Sequence, residues 1–158
     1  MTSNYLAPAF EKRGIERIVK AFGRVVEKGT FGNFSSIVCS GVSGTAVGPV
    51  LAYEYEKNLV IVRKKAEKKN SHCEVLVEGN LGDSFVICDD FMESGATLQR
   101  ILETIRQEGY TKSKYVGVYF WNKRSERPIK ANIDRKRRDL ISCVPFAWTY
   151  NSRLKVEK

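Results

Sequence analysis

The chain has a single histidine, His72, and no apolar run long enough to span a bilayer. A lone imidazole leaves histidine-built metal sites and Ser–His–Asp triads poorly supported. The N-terminus, Met1-Thr2-Ser3-Asn4-Tyr5, lacks the basic-then-apolar order of a signal peptide. The expectation is a soluble, cytoplasmic protein with no membrane partner. The cysteines Cys39, Cys73, Cys88 and Cys143 are scattered, with no close pair at metal-ligand spacing, so neither a zinc site nor a disulfide framework is expected. Cys39 and Cys88 fall in apolar runs, where a free thiol behaves as a small hydrophobe. Acidic residues are also in deficit: 27 Lys and Arg face 18 Asp and Glu, for a net charge of +9. That balance favours polyanionic partners and admits two explanations, a nucleic-acid surface or a site for a multiply charged phosphorylated substrate.

What remains is ordinary globular composition, 42% hydrophobic and 28% charged over 158 residues, which suits one domain over 1–158. From Ala7 to Lys28, Ile15, Ile18, Val19, Phe22, Val25 and Val26 recur at three- and four-residue steps, predicting one amphipathic helix with Pro8 in its first turn and Gly29 as its stop. Phe34–Cys39, Asn58–Val62 and Tyr115–Phe120 read as strands, and Glu74–Val77 as a short one. Between them, Arg63-Lys64-Lys65 opens a polar, basic stretch through Glu74, a mobile loop by length and composition. Asn122 to Arg138 carries eight basic residues against two acids, and Leu140 to Trp148 turns apolar again.

The most informative stretch is Val86-Ile87-Cys88-Asp89-Asp90-Phe91-Met92-Glu93-Ser94-Gly95-Ala96-Thr97-Leu98. The apolar run Phe85–Cys88 predicts a central parallel strand. Two carboxylates cannot stay buried unpaired, so Asp89 and Asp90 emerge at its carboxyl end, where ligands bind in open α/β sheets. The Glu93–Thr97 turn offers hydroxyls, a glycine and free N–H groups ahead of a helix that runs to Gln107 and is capped by Glu108-Gly109. Free N–H groups and the helix dipole hold a phosphate dianion. Adjacent carboxylates accept hydrogen bonds from vicinal hydroxyls or position Mg²⁺. A sugar phosphate fits both. Ser40-Gly41-Val42-Ser43-Gly44-Thr45, between the first strand and a helix through Val47, Val50, Leu51 and Tyr53, reads as a second anion cradle.

Val86–Leu98 resembles the phosphoribosyl-pyrophosphate (PRPP) signature of type I phosphoribosyltransferases at every class position, including Asp89-Asp90, Gly95 and Thr97. The resemblance implies a single Rossmann-like, doubly wound α/β domain with a mainly parallel central sheet. It further implies a flexible basic loop at about 64–78 and a small hood from the chain ends, its C-terminal segment (about 122–158) serving as hood or interface. The implied reaction is phosphoribosyl transfer from PRPP to a nucleobase, purine or orotate, with Mg²⁺ as cofactor, pyrophosphate as product and a homodimer as the usual state. Glu93, Ser94, Gly95, Ala96 and Thr97 would hold the 5′-phosphate. Ser40, Gly41, Val42, Ser43 and Gly44, with Arg63 and Lys64, would receive pyrophosphate. Asp89 and Asp90 would meet the ribose hydroxyls directly or through water on the metal. Lys68, Lys69 and His72 resemble catalytic-loop residues of orotate-type members. Lys123 and Phe146 or Trp148 fall near base-binding positions of purine-type members; for the aromatics, a core or interface role is the alternative. Glu93 stands where hypoxanthine-type members place a general base one methylene shorter, or else it caps the helix N-terminus.

A rival expectation is a non-catalytic PRPP-sensing regulator that binds nucleic acid through a basic face including Arg135-Lys136-Arg137-Arg138. A PRPP-synthesising enzyme would need two such domains. The enzyme reading places Arg63 and the 64–72 loop in one cleft with Asp89.

Overall fold

The computed structural model describes residues 6–64, 75–92, 94–122 and 144–148. Helix α1 (Ala7–Phe10) precedes α2 (Lys12–Glu27), and strand β1 (Ser36–Cys39) leads through α3 (Gly41–Thr45) and α4 (Gly48–Glu54) to β2 (Asn58–Val62). Strands β3 (Val77–Glu78) and β4 (Ser84–Asp89), helix α5 (Ala96–Gln107), β5 (Lys114–Phe120) and β6 (Phe146–Trp148) follow. The helix expected over Ala7–Lys28 is broken at Glu11, whose backbone is extended. The reason is packing: α1 folds back so that the Pro8 carbonyl lies over Gly14, where a Cβ would come within 2.1 Å of it.

The six strands lie in the order β3-β2-β1-β4-β5-β6, parallel throughout except for the antiparallel β2–β3 pair. Successive side chains alternate between two buried faces. Ile37, Val86, Cys88, Tyr119 and Trp121 pack with Ile18, Phe22 and Val25 of α2 and Leu51 of α4. Val38, Val60, Val62, Phe85, Ile87, Val118 and Phe120 pack with Leu98, Ile101, Leu102 and Ile105 of α5. Burial on both faces explains why β1 and Phe85–Cys88 read as unbroken apolar or small-residue runs. Each fully buried Leu, Ile or Phe in these layers contributes roughly 1.5–3 kcal/mol.

Both long helices end in paired reverse-turn hydrogen bonds. Thr30 N–H donates to the Val25 carbonyl and Gly29 N–H to Val26, while Tyr110 N–H and Gly109 N–H do the same to Ile105 and Arg106. Helix α4 ends the same way, with Lys57 N–H on the Ala52 carbonyl, but its left-handed residue is Glu56 at φ 51°. An L-residue there is strained. Glu56→Gly is therefore expected to raise unfolding stability by about 0.5 kcal/mol, once glycine's own entropy cost is set against the relief. A lower urea midpoint would count against this.

The chain leaves β1 toward β2 on one side, while β4 and β5 extend the sheet on the other. The ends of β1 and β4 therefore form a topological switch point, where a crevice opens at the carboxyl edge of a parallel sheet.

Candidate functional site

At that crevice lies a cleft of about 590 Å³. Its lining includes Ser40, Gly41, Val42 and Ser43 just after β1, Lys64 just after β2, Asp89 and Asp90 at the end of β4, and Ser94, Gly95, Ala96 and Thr97 at the start of α5. Three separate stretches singled out in the sequence thus meet in one place. Two backbone bonds carry the pairing past β4 and β5, Trp121 N–H to the Asp89 carbonyl and Asn122 N–H to that of Asp90, and they fix the acidic pair on a rigid frame. The Asp89 carboxylate accepts from Asp90 N–H at 2.9 Å and from Ser43 Oγ at 3.2 Å. Asp90 accepts from Phe91 N–H at 2.9 Å.

Burial, and then the neighbouring charge of Asp90, pushes the Asp89 carboxyl up from 3.8 to about 7. Burial also pushes the Cys39 thiol up to about 12, with a smaller contribution from Asp89, and raises Cys88 well above the ordinary thiol range. Neither cysteine can serve as a thiolate nucleophile, which agrees with their reading as small apolar residues.

Gly95 is left-handed at φ 78°, the conformation that turns the chain into α5. Ala96 N–H bonds Ser94 Oγ at 3.4 Å, and Gln99 N–H is the first to reach back along the helix, to the Gly95 carbonyl. The first-turn N–H groups of Thr97 and Leu98 have no intrahelical acceptor.

A model of the phosphoribosyl transferase domain matches residues 3–151. The chain belongs to this family. Among curated relatives it is 28% identical over 119 residues to an adenine phosphoribosyltransferase of Marinomonas sp., covering 66% of this chain and 64% of that protein. It is 28% identical over 89 residues to an orotate phosphoribosyltransferase of Methanococcus maripaludis, covering 54% of this chain and 48% of that one. Among solved structures, a phosphoribosyltransferase from Corynebacterium diphtheriae superposes with a TM-score of 0.62 at 14% identity, over 89% of this chain and 80% of its own. At that identity the superposition speaks for the shared fold.

Several features of this phosphoribosyl transferase domain differ from their reading in the sequence. The Ser40–Thr45 stretch is a helical turn, not an open loop, and its hydroxyls are used internally. Ser40 Oγ donates to the Val62 carbonyl at 2.6 Å, Ser43 Oγ to Asp89, and Thr45 Oγ1 to the Gly41 carbonyl at 2.7 Å. What Gly41–Ser43 can offer an anion is backbone N–H. Gly44 does not line the cleft; a Cβ there would lie 3.1 Å from both Cys39 Cβ and the Cys88 carbonyl, so it seats the turn on the sheet.

Arg63 is absent from the cleft lining as well. Its Nη2 lies 2.9 Å from each carboxylate oxygen of Glu78, because β3 pairs antiparallel with β2 and brings Glu78 beside it. Lys64 lines the cleft instead. Glu93, His72, Lys68, Lys69, Lys123, Arg135–Arg138 and the side chains of Phe146 and Trp148 lie outside the described residues, as do the 65–74 stretch and most of the expected hood.

Two residues went unnoticed in the sequence. Arg100, one turn into α5, lines the cleft, and fully buried Trp121 donates its indole N–H to the Ser43 carbonyl at 3.1 Å. The only signal for Arg100 was a basic residue three positions after Thr97. No helix among the described residues is long and apolar enough to cross a membrane.

Proposed function

We propose that this chain transfers the 5-phosphoribosyl group of PRPP to a ring nitrogen of a nucleobase, a purine or orotate, and releases pyrophosphate. The observation that carries this is the single cleft joining the acidic pair, the turn before α5, the Gly41–Ser43 turn and Lys64. Family membership supports it, and the adenine- and orotate-using relatives support both acceptor classes.

In the reaction the bond from the ribose anomeric carbon to the diphosphate oxygen breaks, and its electron pair leaves with the diphosphate. A bond from the base nitrogen to that carbon forms, and the nitrogen gives up its proton. The first-turn N–H groups of α5, with Ser94 and Thr97, hold the 5′-phosphate. Asp89 and Asp90 accept hydrogen bonds from the ribose hydroxyls and fix the ring as positive charge develops on it. The Gly41–Ser43 N–H groups and Lys64 face the departing anion and stabilise it.

The acidic residues suit Mg²⁺. Asp89 and Asp90 are adjacent carboxylates that both line the cleft. Mg²⁺ keeps its waters and takes few protein ligands alongside substrate phosphates, so Asp89 and Asp90 would hold it. When bound, it supplies charge neutralisation to the diphosphate.

The net charge of +9 favours a second reading, a PRPP-sensing regulator that binds nucleic acid. One assay separates the two: pyrophosphate release from PRPP and Mg²⁺ with adenine, guanine, hypoxanthine, xanthine, uracil or orotate. Release with one base, lost in an Asp89→Asn/Asp90→Asn variant, is the expected outcome. Silence across the panel, while PRPP still raises the melting temperature, would overturn transfer to these bases in favour of the regulator.

A further inference from the structure

Among the described residues, Arg100 is a cleft cation with no counter-ion. It is half-buried on α5, and its side chain is held by two neutral acceptors: Nη2 donates to Ser40 Oγ at 2.8 Å and Nη1 to the Arg63 carbonyl at 3.4 Å. Ser40 Oγ passes its own proton on to the Val62 carbonyl. No carboxylate among the described residues lies within ion-pair reach of Arg100. Glu103, one turn along, accepts from Gln99 Nε2 at 2.7 Å, and Glu78 is paired with Arg63. A guanidinium carries five N–H donors, so most of its capacity is left over. A partly desolvated cation held by neutral acceptors alone is costly, and an anion entering the cleft relieves that cost.

The tethers also say which anion. Although Arg100 belongs to the helix that follows the 5′-phosphate turn, its guanidinium is tied to Ser40, which opens the Gly41–Ser43 turn, and to the backbone just before Lys64. Its guanidinium is therefore anchored to the wall of the cleft built from the ends of β1 and β2.

We infer that Arg100 is a diphosphate-binding residue, filling the role that the sequence suggested for Arg63. This rests on the proposed phosphoribosyl transfer. With Lys64 and the Gly41–Ser43 N–H groups it forms the receiving end for the leaving group. Its planar fork matches two oxygens of one phosphoryl unit.

The test is titration calorimetry with inorganic pyrophosphate and, separately, ribose 5-phosphate, both with Mg²⁺, on the wild type, Arg100→Gln and Arg100→Lys. Arg100→Gln is expected to weaken pyrophosphate about 10- to 100-fold while leaving ribose 5-phosphate within about twofold. Arg100→Lys, which keeps the charge but loses the fork, is expected to show a selective loss of roughly 3- to 10-fold, and it decides the matter if the Gln variant does not fold. Unchanged pyrophosphate affinity in the folded variants, or an equal loss for both ligands, would overturn the inference and leave the transfer reading in place. A wild type that binds neither ligand would overturn both.

Discussion

Asp89→Asn is expected to lower kcat/KM for PRPP by at least about 10²–10³-fold while making the unliganded protein more stable at alkaline pH. The activity loss follows from position. Asp89 lines the cleft, held by Ser43 Oγ and Asp90 N–H, and in the proposed reaction its remaining oxygen capacity meets the ribose hydroxyls. An amide of the same shape puts a donor where an acceptor is needed.

The stability gain follows from burial. The folded carboxyl titrates at about 7 against 3.8 ordinarily, so between those values the native state holds a proton that the unfolded chain has released. Stability contributed by this group is full below about pH 4 and is lost as pH rises through about 7. The cleft is open to solvent, so the discounted gain for Asp89→Asn at pH 8 is about 1–2 kcal/mol, shrinking toward zero near pH 4. Melting curves at pH 5 and 8 without PRPP or metal check this; a variant-minus-wild-type difference no larger at pH 8 than at pH 5 would refute it.

Trp121→Ala is expected to cost about 3–5 kcal/mol, enough to leave a domain of ordinary stability marginal. Trp121 is fully buried, packs with the α2 and α4 layer, and is among the largest side chains in the core. It is also the brace of the Gly41–Ser43 turn through its indole N–H on the Ser43 carbonyl. Trp121→Phe separates the two roles. It keeps most of the apolar volume, forfeits that bond at about 1 kcal/mol, and weakens pyrophosphate binding more than its stability loss alone implies. Urea denaturation of both variants, with pyrophosphate titration of the second, decides it. An unaffected pyrophosphate affinity would mean that the turn holds its shape without the brace.

The acidic pair, the Gly95 turn and the start of α5 were legible in the chain because strand, turn and helix follow one another within a dozen residues. Their geometry depends on local φ/ψ and on period-two burial, both written into neighbouring side chains. The two-faced burial of β1 and β4 was legible for the same reason. Sequence could not show where cations end up. Arg63 and Lys64 are adjacent and chemically alike, yet pairing with β3 puts Glu78 against the first and leaves the second in the cleft. Arg100 reaches Ser40 across 60 residues and Trp121 reaches Ser43 across 78, contacts that exist only because the sheet order places β1 beside β4. Long side chains cross between elements, so their partners depend on which strands become neighbours, and no local pattern encodes that. Chain order thus specified the acidic pair and the Gly95 turn, whereas strand pairing assigned Lys64 and Arg100, and not Arg63, to the cleft.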